Sequence, residues 1–247
     1  MKDNISRRTF LKTGIAVGAG LYGLSYLSSF ERPRPLKSLK GNSLKKDLVV
    51  VHGDVDERND ERSVITKMVR SGIEAIGGMD KLVSRGDNVV IKPNIAWDRK
   101  PEYAVNTNPF VVAALVGICL EAGANRVKVI DHTCASNPDT SYTNSGIEKA
   151  AKEAGALVRF VNKDLFRDIK IPDGKVLASW KFYEDLIYQD ETDVLINVPI
   201  AKQHSASRLS MALKNTLGMV GGNRGSLHKD IHPKIADLNK VVKVDLT

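Results

Sequence analysis

The stretch DVLINVPIAKQHSASRLSMALKN (193–215) contains two unlike kinds of sequence. Its first seven residues, DVLINVP, are an apolar, β-branched run bounded by Asp and Pro, and such a run reads as a short buried strand. Beyond Pro199 the chain empties at once into Lys202 and His204. It then continues through small and apolar residues that carry Arg208, Lys214 and Asn215 and read as one helix over 205–217. Core packing alone has no use for so many polar groups at a strand end, whereas a binding site does.

The same grammar extends in both directions. Short β-branched runs occur at LVVV (48–51), NVVIKP (88–93), RVKVID (126–131) and ALVRFV (156–161), with helical stretches at 61–76, 109–122 and 146–154 between them. Asn108-Pro109 is a cap followed by proline at the first helical position, and Gly123 and Gly155 are placed to end their helices. This alternation predicts an α/β fold, a mainly parallel, doubly wound, Rossmann-like sheet. Within IKIPDGKVLASWKFY (169–183) an Asp-Gly turn between alternating runs predicts an inserted hairpin. IADLNKVV (235–242) reads as a helix and VDLT (244–247) as the opening of another strand. A domain that stops there reads as truncated at its carboxyl end.

The chain has 247 residues and a formal charge of +8. Residues 1–30 hold four Lys/Arg and one acid, and residues 31–46 hold six Lys/Arg and one acid. From 47 onward basic and acidic residues are equal in number. The basic excess therefore belongs to the tail, and the domain lacks the broad positive footprint of a nucleic-acid binder. Cys119 and Cys134 are far apart and form no CxxC pair, so they offer no zinc or iron–sulfur ligand set of their own.

The tail carries an address. SRRTFLK (6–12) followed by TGIAVGAGLYGLSYLSSF has the twin Arg and weakly apolar run of a twin-arginine export signal. Residues 1–30 are read as that signal or as an uncut membrane anchor, 31–46 as a basic linker, and 47–247 as the α/β domain. This predicts a partner in the export machinery, membrane contact only through residues 1–30, and residence in the periplasm or on the outer face of the cytoplasmic membrane.

In open parallel sheets, ligands bind beyond the carboxyl ends of the strands. There the sequence places Lys92-Pro93-Asn94, Asp131-His132-Thr133 and, after Asn197-Val198-Pro199, Lys202 and His204. Neither GxGxxG nor GxxxxGK[ST] follows any strand, and the Gly-rich GMVGGNRG (218–225) follows a helix, so a Rossmann NAD site is not indicated. His204, Lys214 and His228 are candidates for catalysis. Lys92, Asn94, Lys202, Arg208 and Asn215 are candidates for holding a cofactor or small anionic ligand. Asp131, His132 and His204 are a candidate metal set, while His232 reads as a solvated loop residue. If 205–217 were one helix, Ser205 or Ser207 would cap it beside Lys202 and Arg208, and its exposed N–H groups would seat an anion. His204 and Lys214 would then lie about 15 Å apart, too far to share one metal ion.

NVVIKPNI, TNPFVVAALVGICLEAGANRVKVID, SGIEKAAKEAGA, DVLINVPIAKQHSASRLSMALKNTLGMV and the late LH…IADLNKVVKVDLT together resemble the domain-of-unknown-function 362 family, from about Asp47 to the end. The resemblance implies an association with iron–sulfur modules and a ferredoxin-like or other electron-transfer partner. The order His204, Lys214, Gly-rich turn, His228 also has a distant similarity to the amino-terminal domain of nickel-dependent lactate racemases. That likeness implies Lys214 as a cofactor-anchoring amine, with the two His as metal or acid–base residues. The chain lacks the tandem-Gly-then-Lys setting of those enzymes. The reading is thus an exported protein that binds a cofactor (a nickel- or iron-containing group), a metal ion or a small anionic ligand at the strand carboxyl ends. The alternative is a non-catalytic ligand-binding module of the cell envelope.

Overall fold

In a computed structural model of the protein, residues 47–54, 60–187 and 192–247 are described. The export signal and basic linker read from the sequence lie outside them. Helix α1 (Glu61–Ile76) starts at Asp60, whose carboxylate accepts from the Ser63 N–H, and stops at Gly77, whose φ of 121° ends the helix. Strand β1 (Asn88–Pro93) leads to α2 (Pro109–Glu121), where the Asn108 side chain accepts from the Phe110 N–H and Pro109 takes the first position. Then come β2 (Arg126–Val129), the short helices α3 (Pro138–Asn144) and α4 (Ile147–Glu153), and β3 (Leu157–Val158). Next is an antiparallel hairpin, β4 (Phe166–Lys170) and β5 (Ser179–Tyr183), then α5 (Glu184–Ile187) and β6 (Val194–Val198). The chain closes with a second small hairpin, β7 (Lys202–His204) and β8 (Arg208–Ser210), then α6 (Ala212–Asn215) and α7 (Ile231–Leu238).

The central sheet has the order β3-β2-β1-β6, with every neighbouring pair parallel. The chain steps from β1 outward to β2 and β3, then returns to lay β6 on the other side of β1. That reversal puts the topological switch point at the carboxyl ends of β1 and β6. Alternation along the strands feeds two cores. Val89, Ile91, Val127, Val129, Val194 and Ile196 pack with Ile73, Val112, Val116, Ile147 and Ala151 on one face. Val90, Ile130 and Leu195 pack with Phe182, Met219, Val220, Ile231 and Leu238 on the other. A strand repeats every second residue, so Lys92 emerges on Val90's face, toward the second core.

The doubly wound α/β reading and the inserted hairpin hold. Leu246 bridges Ile196 in parallel and its carbonyl accepts from the Asn197 N–H at 2.8 Å, so VDLT begins to pair along the outer edge of β6 as expected. Other elements differ. LVVV (48–51) forms no strand, although Val49 packs on the first core. The run 156–161 pairs only at Leu157–Val158. The helix expected over 205–217 is instead the β7–β8 hairpin, with α6 and a 3₁₀ turn over Thr216–Met219 behind it. The turn tightens at Arg208, whose φ of 62° no helix accommodates. Helix α7 starts four residues before the expected Ile235.

One carboxylate ties the inserted hairpin to α7. Asp237 accepts from the backbone N–H groups of Lys175, Val176 and Leu177 at 3.0, 2.7 and 3.0 Å and pairs with Lys240 at 3.0 Å. These bonds hold its carboxyl well below the usual carboxylate range. A depressed folded-state value gives stability that is complete above the unfolded-state value near ~4 and is lost as pH falls through the folded one. Denaturant titrations of the wild type should therefore weaken steadily on acidification below about pH 4. Asp237→Asn should be less stable at neutral pH and lose part of that acid-side slope.

Candidate functional site

Lys92 reaches the end of β1 with 0% exposure, a charge placed fully inside the protein. Its ammonium is paired with Asp131 Oδ1 at 2.6 Å and donates to the Pro93 carbonyl at 2.6 Å and to Asn215 Oδ1 at 3.0 Å. Two hydrogen bonds and one ion pair thus hold the ammonium. Burial pushes the Lys92 pKa down, opposed by the charge and hydrogen bond of Asp131. Asp131, two residues beyond β2, also accepts from the Ile95 N–H at 2.6 Å. The Tyr142 hydroxyl grips the Asp131 backbone, accepting its N–H at 2.6 Å and donating to its carbonyl at 2.7 Å. Gly218 lies against the pair. A Cβ there would sit 2.0 Å from Asp131 Oδ1 and 2.7 Å from Lys92 Nζ, so only glycine permits the approach.

Asn215, at the end of α6, is buried across the switch point. Its amide nitrogen donates to Asn197 Oδ1 of β6 at 2.8 Å, and its oxygen also accepts from Asn94 Nδ2 at 3.0 Å. Asn94 Oδ1 in turn accepts from Lys202 Nζ at 2.8 Å, and the same ammonium donates to the Val105 carbonyl. The chain from Lys92 through Asn215 and Asn94 to Lys202 makes a polar floor and one wall.

Above this floor is a cleft of about 380 Å³. Lys92, Asn94, Asp131, His132, Lys202, His204, Lys214, Asn215 and His228 all line it, as do Trp97, Cys134, Gly218 and Arg224. The folding of 202–210 into a hairpin is what brings His204 and Lys214 to one cavity. Arg208 is the exception. It is exposed on β8 and does not line the cleft, and the anion seat imagined at a 205–217 helix start does not exist because that helix does not form.

Neither do Asp131, His132 and His204 assemble as a metal set. Among the described residues no three His, Cys, Asp or Glu side chains stand close enough together to hold a metal ion. Asp131 is committed to Lys92, and His132 is fixed separately, its Nδ1–H donating to the Val220 carbonyl at 2.8 Å. Burial and the nearby Arg224 lower the His132 pKa.

His204 and His228 stack, with ring centroids 5.4 Å apart and planes inclined by 26°. His204 Nδ1 accepts from the Ser207 N–H at 3.2 Å, which leaves its proton on Nε2 when the ring is neutral. Burial, Lys214, His228 and Lys202 all lower its pKa. Lys202 is pushed down to about 8, first by burial and also by Lys214 and Lys92. Lys214 is likewise lowered by burial, with Arg224 and Lys92 adding to it, and no hydrogen bond or ion pair satisfies its ammonium among the described residues. Arg224 donates to the His132 and Thr133 carbonyls, each at 2.6 Å, fastening the Gly-rich loop to the end of β2. Among the described residues the cleft therefore gathers Lys202, Lys214 and Arg224 around a single carboxylate, Asp131, that Lys92 already neutralises, with the Cys134 side chain also on its lining. Sequence reading missed Arg224, which has only a Gly-rich loop around it, and Trp97, which has no periodic context at all.

The family model for the domain of unknown function DUF362 matches residues 89–247, from β1 through every element that builds the cleft. The chain belongs to the DUF362 family. A twin-arginine translocation signal matches residues 4–21, so this DUF362 protein is exported across the cytoplasmic membrane and engages that route's machinery. A thylakoid-associated protein of Synechocystis sp. is 25% identical over 168 residues, covering 66% of this chain and 48% of that protein. The chain thus spans about half the length of this relative. Neither match extends to the nickel-dependent lactate racemases. Among the described residues no helix is long and apolar enough to cross a membrane.

The buried pair has a measurable role. Lys92→Met leaves Asp131 charged and unpaired, and should cost about 3–5 kcal/mol in denaturant titrations. Lys92→Met combined with Asp131→Leu should recover much of that loss, because the stranded charge is gone. Gly218→Ala should destabilise in the same direction as Lys92→Met.

Proposed function

We propose that this DUF362 protein acts in the periplasm or on the outer face of the cytoplasmic membrane, binding a small carboxylate or phosphate in the cleft at the ends of β1 and β6. The observation that carries this reading is the unsatisfied Lys214 ammonium, half-buried in a cleft with Lys202 and Arg224 and, among the described residues, with no free carboxylate lining it. Burial and neighbouring cations disfavour the charged forms of Lys202 and Lys214, and a bound anion offsets both. Asn94 and Asn215 supply the polar floor, and the His204–His228 pair supplies imidazoles able to donate to or accept from the ligand. If a reaction takes place here, His204 is the proton-transfer group and Lys214 the group that stabilises developing negative charge.

Isothermal titration of the full chain with inorganic phosphate tests the reading. Lys214→Ala should weaken binding roughly tenfold to a hundredfold, the loss expected for one charge-assisted contact, with thermal stability unchanged. Unaltered affinity with lowered stability would make Lys214 a structural residue and remove the proposal's support. The pH dependence has a definite sign. Anion binding raises the Lys202 pKa from its value of about 8 in the free protein. Affinity should therefore be full below that value and decline as pH rises through and beyond it.

A further inference from the structure

We infer that the cleft selects anions carrying a planar aromatic ring, and that Trp97 is the surface on which the ring lies. This rests on the anion-binding reading above and adds the ligand's other half. Trp97 follows β1 and lines the cleft, yet it is 55% exposed, a large apolar side chain left in water at the edge of a cationic cavity. Its backbone is not free to move. Asn106 accepts from the Trp97 N–H at 3.0 Å and donates to the Trp97 carbonyl at 2.8 Å, clamping both sides of one residue. Asn94 and Thr107 close the base of the loop, with the Thr107 N–H donating to the Asn94 carbonyl at 2.9 Å and the Asn94 N–H to Thr107 Oγ1 at 2.8 Å. Thr107 Oγ1 then donates to the Val198 carbonyl of β6 at 2.6 Å.

The loop is thus a rigid bracket for a ring left more than half exposed at the edge of the cleft. Among the described residues the Trp97 indole N–H has no acceptor. The other tryptophan, Trp180, is the contrast, since it packs on the second core and donates its indole N–H to the Gly221 carbonyl at 3.0 Å. The bracket is also joined to the anion seat. Lys202 bonds both Asn94 and the Val105 carbonyl, so the ammonium and the indole belong to one wall and their spacing is fixed by the fold. A rigid aromatic face beside fixed cations suits a ligand that offers a π-face and a negative group together, as an aryl phosphate or an aromatic carboxylate does.

The test compares two probes of equal charge, methyl phosphate and phenyl phosphate, titrated calorimetrically into the full chain. Phenyl phosphate should bind roughly tenfold more tightly, the order of one aromatic stacking contact. Trp97→Ala should bring the ratio of the two affinities close to one, and Trp97→Phe should keep most of it. Equal affinities in the wild type, or a ratio that survives Trp97→Ala, would overturn the inference while leaving the anion seat standing. Binding of neither probe would remove the anion seat and this inference with it.

Discussion

A lysine and an aspartate closed off from water, Lys92 and Asp131, set the conditions under which the rest of the molecule can exist. Removing two charges from water costs several kcal/mol for each ion, and mutual attraction repays that only when the geometry is good and the remaining hydrogen-bonding capacity is filled. Here it is filled. The lysine has two hydrogen bonds and one ion pair, and the aspartate's second oxygen holds the Ile95 N–H. The pair joins β1 to the segment after β2, and Asn215 fastens the end of β1 to β6. Three strand ends are thereby locked in relation to one another, and the 3₁₀ turn containing Gly218 can close over them only because that residue has no side chain. A well-packed apolar pair could serve stability equally well. What the ionic version adds is a polar floor at the switch point.

That floor explains the electrostatics above it. The pair is neutral as a unit and offsets the remaining cations little, and burial, with their cationic neighbours, pushes Lys202 and Lys214 below the ordinary lysine range against an opposing influence from Cys134. A fold under selection for stability alone would place an acid there or let the side chains reach bulk water. Arrangements that disfavour their own charges collect where a ligand is expected to provide what the protein omits. The Gly-rich loop contributes by bringing Arg224 to the cleft while its two N–H groups secure the backbone of β2's tail.

How far the sequence was legible depended on whether a residue's partners lay near it in the chain. The strands of the sheet could be read because burial on both faces demands apolar, β-branched runs, and the inserted hairpin because Asp173-Gly174 marks a turn. Asn137-Pro138 begins α3 with the same signature as Asn108-Pro109, but the helix behind it is too short and polar to show an apolar periodicity. The β7–β8 hairpin was hidden by composition, since Ser, Ala, Met and Leu suit a helix. Within the hairpin Leu209 is the one large apolar residue, and it is exposed, so no buried alternation marked the strands. Site residues at strand ends were visible, because parallel sheets deliver them to one edge. Which of them pair with each other was not, because the choice of Lys92 for Asp131 joins distant parts of the chain and is made by the fold.

The misread helix also changes what the cleft can do. A continuous helix would hold His204 and Lys214 at opposite ends of an elongated ligand. The hairpin turns the chain back, so an imidazole and an ammonium face one compact volume. Within it the imidazoles are differently arranged: His132 has its proton on Nδ1, held by the Val220 carbonyl, whereas His204 accepts at Nδ1 and so presents Nε2–H when neutral. Both are biased toward neutrality by burial and neighbouring cations. The positive character of the cleft therefore comes from Lys202, Lys214 and Arg224, while His204 stays available as a hydrogen-bond donor without adding charge. Separating these roles lets the cleft attract an anion and orient it with groups of different kinds, which one metal-binding cluster of the same imidazoles could not do.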